Sequence, residues 1–89
     1  MTFEAITNYY EKQVYDRITA ELGSIYSDDP DYLADIACVA LNSLPPRYIR
    51  HSVDMAFYMS SQEREHMKDV IEKAIRDAID FVRSRREGE

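Results

Sequence analysis

The segment "DYLADIACVALNSLPP" constrains this chain more than any other. Pro30 precedes it and Pro45 and Pro46 close it. From Tyr32 to Leu44 the apolar residues are Tyr32, Leu33, Ile36, Ala37, Val39, Ala40, Leu41 and Leu44. Plotted at the helical period they cover most of a helix circumference, and so short a helix with so little polar surface belongs at the centre of a fold. Its start is well specified. Asp29 is a good N-cap, Pro30 suits the first helical position, and Asp31 sits favourably against the positive end of the helix dipole. Its end is equally sharp, because a proline forces the residue before it out of the helical region.

Two amphipathic helices are expected on either side. Ile6, Tyr10, Val14, Ile18 and Leu22 recur at four-residue steps. With Phe3 and Ile25 on the same side, they predict a first helix over about residues 4–25, closed by Gly23 and the turn-rich "YSDDPD". Ser60 with Glu63 three residues later matches a capping box. The last helix is expected from there to about Arg85, roughly 40 Å long at about 1.5 Å per residue. Met67, Val70, Ile71, Ala74, Ile75, Ala78, Phe81 and Val82 form its apolar face. Glu72 with Arg76, and Asp69 with Lys73, are expected as helix-stabilising pairs on the other side. A face that wide can meet two neighbours, so part of it is expected against a second subunit. The stretch "HSVDMAFYM" (51–59) reads as a loop with a helical turn, its apolar residues in the core rather than in a lid. The fold class is thus all-α: a small domain of three to four helices spanning 1–89, with a Pro-Pro corner after the central helix, as a homodimer.

Charge and cysteine content narrow the function. With 89 residues the chain is one small domain that buries a modest fraction of its surface. Net charge is −6, which argues against direct DNA binding, since that depends on neutralising phosphates with a basic surface. Arg83, Arg85 and Arg86 do cluster, at the end of the last helix, where they complement its dipole. Cys38 is the only cysteine, so neither an intramolecular disulfide nor a multi-cysteine zinc site is available. The N-terminal "MTFEAITNYYEK" does not have the basic-then-apolar design of a secretory signal, and no apolar run is long enough to span a bilayer. A cytoplasmic protein without membrane contact is expected. His51 and His66 lie in no H-E-x-x-H spacing, and no nucleophile arrangement, phosphate loop or dinucleotide fingerprint is present. Asp28 and Asp29 are turn formers before a cap, not an acid/base dyad. An enzyme is not expected, and neither is a cofactor or a bound metal.

The double proline turns the chain, but it does not account for its neighbours. Arg47 and Arg50 bracket Tyr48 just beyond it, and Asp35 and Asn42 share one stripe of the central helix, two turns apart. Two readings fit. In one, Asp35 pairs with an arginine such as Arg47 to lock the corner, and Asn42 caps backbone groups near the prolines. In the other, the stripe floors a pocket whose rim is Arg47, Tyr48 and Arg50. Arginine offers a planar fork for phosphate and stacks on bases, and tyrosine adds a stacking face and a hydroxyl. Asparagine and aspartate can hydrogen-bond base edges. Rigid prolines would lower the cost of ordering such a loop on binding.

The run "DIACVALNSLPPRYI", Asp35 to Ile49, resembles the core motif of the ComFB family of late-competence-development proteins, D-I/V-x-A-x-A-L-N-x-L-P-P-x-Y. The preceding "NYYEKQVYDRITAELGSI" is similar to that family's N-terminal helix, and a helix after the motif fits as well, so the likeness covers about residues 6–85. It implies a small helical protein, dimeric, whose relatives are linked to cyclic di-GMP and, in some members, cyclic di-AMP. Carried onto matching positions, the implicated residues are Asp35, Asn42, Pro45, Pro46, Arg47 and Tyr48; Arg50 is added from its chemistry alone. Some members carry several cysteines between the first two helices, which can bind zinc. Here that region reads "YSDDPDYLAD", so metal binding is not carried over. The expectation is a non-catalytic receptor for a cyclic dinucleotide, and the alternative is a dimeric adaptor that docks a protein partner.

Overall fold

A computed structural model describes residues 2–50 and 59–87. Three α-helices lie among the described residues: α1 (Tyr9–Leu22), α2 (Pro30–Ser43) and α3 (Ser61–Glu87). A 3-10 turn (Thr2–Ala5) leads into a two-residue strand, β1 (Thr7–Asn8), which pairs antiparallel with β2 (Tyr48–Ile49). The register sets Thr7 opposite Ile49 and Asn8 opposite Tyr48. The fold is therefore predominantly helical, as the patterning predicts, with a small ribbon that the patterning does not announce.

The two predicted starts of α2 and α3 are borne out by their caps. Asp29 Oδ1 accepts from the Tyr32 N–H at 3.1 Å, with Pro30 at the first helical position. Ser60 Oγ accepts from the Glu63 N–H at 3.1 Å. The first helix begins later than its apolar repeat suggests. Asn8 adopts an extended conformation and caps α1 by accepting from the Tyr10 N–H at 3.2 Å. Ile6 therefore lies outside the helix and is exposed, as are Phe3 and Ile25, which share the four-residue pattern without sharing the core. Gly23 closes α1 in right-handed backbone, so the conformational freedom of glycine is not what the site needs. A Cβ there would fall 2.5 Å from the Thr19 carbonyl oxygen, which also accepts the Gly23 N–H.

Tyr10, Val14 and Ile18 of α1 join Tyr32, Ile36 and Ala40 of α2 in one core. From α3 it receives Met67, Ile71, Ala74, Ile75, Ala78 and Val82. Helix α2 packs against both others, most extensively against α3, so its central placement follows the expectation. It is not enclosed on every side. Asp31, Ala34, Asp35, Cys38 and Asn42, three or four residues apart or adjacent, form an exposed stripe that runs toward the double proline. On α3, Phe81 leaves the predicted apolar face and is about half exposed, with the Arg85 guanidinium 5.7 Å from its ring centre. The surface pairs of α3 also differ from the expected ones. Lys73 pairs with Asp77, and Glu72 reaches across to Arg17 of α1, which also holds Glu21. The expected turn and core placement of 51–59 fall outside the described residues except for Met59, which is buried.

Candidate functional site

Helix α2 runs out in a local hydrogen-bond network. The Ser43 hydroxyl donates to the Ala40 carbonyl at 2.8 Å, and the Leu44 N–H donates to the Leu41 carbonyl at 3.3 Å. Leu44 then turns extended and buries its side chain, which anchors the chain just before two exposed prolines. Neither proline has an N–H, so Arg47 supplies the first backbone donor after Leu44. That donor goes to Asn8 Oδ1 at 3.0 Å, and the Arg47 carbonyl accepts from the Tyr9 N–H at 2.6 Å. Both polar atoms of the Arg47 backbone are thus tied to the start of α1.

The side chains that follow point to solvent. Arg47 and Arg50 are exposed, and Tyr48 retains 69% of its surface. Neither arginine forms an ion pair among the described residues. The corner therefore presents two guanidinium groups and a phenol ring from four consecutive residues whose backbone is held at Arg47. Asn42 lies just before this corner on the exposed stripe; its Nδ2 sits 3.7 Å from the Cys38 sulfur and, among the described residues, caps no backbone group. The expected capping of the corner by Asn42 is thereby corrected: Asn8, from a different element, provides the acceptor.

Asp35 belongs to a different cluster. It lies two turns back from Asn42, about 10 Å along the helix axis, and its ion-pair partner is Arg86 of α3 at 3.9 Å, not Arg47. Arg86 makes a shorter bond to Asp29 Oδ2 at 2.9 Å and stacks over the Tyr32 ring at 4.6 Å. Tyr26 packs on Tyr32 from its own side, with ring centres 4.7 Å apart. This clasp fastens the end of α3 to the start of α2. The Arg86 hydrogen bond, followed by the Tyr32 N–H, holds the Asp29 carboxyl below its ordinary value, and the same bond raises Arg86. One member of the basic C-terminal cluster therefore has a specific structural partner beyond complementing a dipole.

A concavity runs between α1 and α3, a wide open groove of about 1060 Å³. Met59, Met67 and Ile71 contribute apolar surface, while Lys12, Arg17, Arg64 and Lys68 supply basic groups. It takes in Asn8 and Ile49 but none of Arg47, Tyr48 or Arg50. This groove and the arginine-tyrosine corner are thus neighbours across the ribbon, not one site. Among the described residues no group of three or more His, Cys, Asp and Glu side chains could hold a metal ion, and no helix is long and apolar enough to cross a membrane.

The family model for late competence development protein ComFB matches residues 7–86. This chain belongs to the ComFB family. No curated protein and no solved structure matches it. The ComFB match takes in all three helices almost completely, and it places Asn8 and the double-proline corner inside the shared region. Asn8 is the residue that sequence reading passes over. Its signal is present, an asparagine directly before a helix, but the regular spacing of Ile6 with Tyr10 hides it.

Proposed function

We propose that this ComFB-family chain is a non-catalytic receptor for a cyclic dinucleotide second messenger, cyclic di-GMP or cyclic di-AMP. The observation that carries the reading is the pair of exposed guanidinium groups, unpaired among the described residues, that flank Tyr48 on a backbone already fixed at Arg47. A cyclic dinucleotide brings two phosphates and two bases. Arg47 and Arg50 are suited to the phosphates or to stacking on a base, and Tyr48 offers a face to the other base. Asn42, exposed on α2 three residues before the double proline, is suited to a base edge. Asp35 meets Arg86 through Oδ2 alone, at 3.9 Å, and its other carboxylate oxygen can accept from a guanine edge. Because the corner backbone is set in advance, binding would order side chains but not a loop, which reduces its entropic cost. The output would be a changed surface of a homodimer or of a regulatory partner complex in the cytoplasm, and it requires different ligand affinities in two states.

A second reading, an adaptor that docks a protein partner without a small ligand, draws on one observation: Asp35 is engaged in a fold-fastening clasp and not at the corner. Isothermal titration of the purified protein with cyclic di-GMP, cyclic di-AMP and GTP decides between them. The receptor reading expects saturable binding of one cyclic dinucleotide at micromolar concentration or below, with GTP weaker. Absence of heat, together with an unchanged melting temperature in both cyclic dinucleotides, would leave the adaptor reading standing.

A further inference from the structure

The antiparallel register that joins Asn8 to Tyr48 brings Tyr9 opposite Arg47 at its next step. Only half of that pairing is made in the usual way, through the Tyr9 N–H and the Arg47 carbonyl. The reciprocal acceptor would be the Tyr9 carbonyl, but α1 begins at Tyr9 and that carbonyl turns along the helix. Asn8 Oδ1 takes its place, and the same oxygen accepts from the Tyr10 N–H. One side-chain atom therefore ends the ribbon, starts the helix and receives the first donor that follows two prolines. Remove it, and the Arg47 N–H loses its acceptor among the described residues, while Leu44 remains the nearest buried anchor before it.

We propose that Asn8 is the positioning residue of the corner: by joining the N-cap of α1 to the Arg47 backbone, it sets the direction and spacing at which Arg47, Tyr48 and Arg50 present themselves. As far as a ligand is concerned, this rests on the receptor reading above. Two consequences follow for that site. The N-terminal segment belongs to the binding machinery although it contributes no contact of its own to the nucleotide. The coupling is also reciprocal, so a ligand that steadies the corner steadies β1 and the first turn of α1.

Two substitutions separate positioning from capping. Asn8→Ser keeps a good N-cap for α1 but is too short to hold Arg47 as well. Asn8→Asp keeps an oxygen for both N–H groups. Amide hydrogen exchange on the ligand-free full chain is expected to speed up roughly tenfold at Arg47 in Asn8→Ser, the scale of one lost hydrogen bond. Tyr10 should stay protected in that variant, and Arg47 should stay protected in Asn8→Asp. Titration with cyclic di-GMP and cyclic di-AMP is expected to show Asn8→Ser weakened severalfold. Ile18→Val, a buried α1 change that lowers stability without touching the corner, should bind like the parent. Unchanged Arg47 exchange in Asn8→Ser would overturn the proposal. So would faster exchange with unaltered affinity. If the parent binds neither nucleotide, the receptor reading falls by itself, and the exchange result still decides whether Asn8 fixes the corner.

Discussion

Arg47→Ala separates the two readings because residue 47 serves the fold through its backbone alone. Its N–H and carbonyl bonds to Asn8 and Tyr9 survive truncation of the side chain. The guanidinium is exposed and unpaired among the described residues. Substitutions at such surface positions usually change stability by no more than about 0.5 kcal/mol. In a domain this small about 1 kcal/mol moves Tm by roughly 4–8 °C, so the variant should melt within about 4 °C of the parent. Binding should behave differently. A hydrogen bond to a charged partner contributes about 1.5–3 kcal/mol, which corresponds to a loss of roughly 10- to 150-fold in Kd for the cyclic dinucleotide. Circular-dichroism melting and isothermal titration on the same preparation measure both quantities. A fall of more than about 8 °C in Tm would refute the reasoning, since it would make the Arg47 side chain part of a lock. Full affinity in a stable variant would refute it from the other direction.

Two further predictions concern the scaffold. Ile36 has no exposed surface, and Ile36→Ala leaves a cavity at the heart of the three-helix core; it should cost about 2–5 kcal/mol in urea unfolding, and a loss below about 1 kcal/mol would contradict the placement of α2. Asp29→Asn keeps an oxygen for the Tyr32 N–H but removes the charge that Arg86 engages. Because folding lowers the Asp29 carboxyl from its ordinary 3.8, its contribution is fully present above that value and is lost as pH falls through the lowered folded one. The Tm gap between parent and variant should therefore be open at neutral pH, close at acid pH, and narrow in high salt; a gap independent of pH would rule out the charge as its cause.

What was legible in the sequence is local, and what was not is remote. The caps at Asp29 and Ser60, the proline stop after Leu44, and the four-residue spacing of Tyr10, Val14 and Ile18 all act within a few residues, where patterning is informative. Helix α1 starts later than the spacing predicts because Ile6 continues the spacing while Asn8, extended, interrupts it. The interruption makes sense only with Arg47, 39 residues away, in view. Long-range charge pairing was hidden in the same way. Glu72 has Arg76 one turn along its own helix but pairs with Arg17, and Asp35 finds Arg86 in preference to Arg47. The site divides accordingly. Arg47, Tyr48 and Arg50 stand on one short stretch and Asn42 on the exposed stripe of α2 before the double proline, whereas Asp35 belongs first to the clasp between α2 and α3. The motif that carries the family resemblance thus contains both a candidate ligand surface and part of the fold's own fastening.

The measurement that most directly tests the corner as the ligand site is a two-dimensional amide NMR titration of the uniformly labelled protein with cyclic di-GMP, repeated with cyclic di-AMP. Saturable shifts are expected at Asn42 and at Arg47 to Arg50, extending through Asn8 to Tyr10, with the Lys12 and Lys68 amides of the α1–α3 groove unmoved. Shifts centred on that groove and sparing the corner would contradict this expectation.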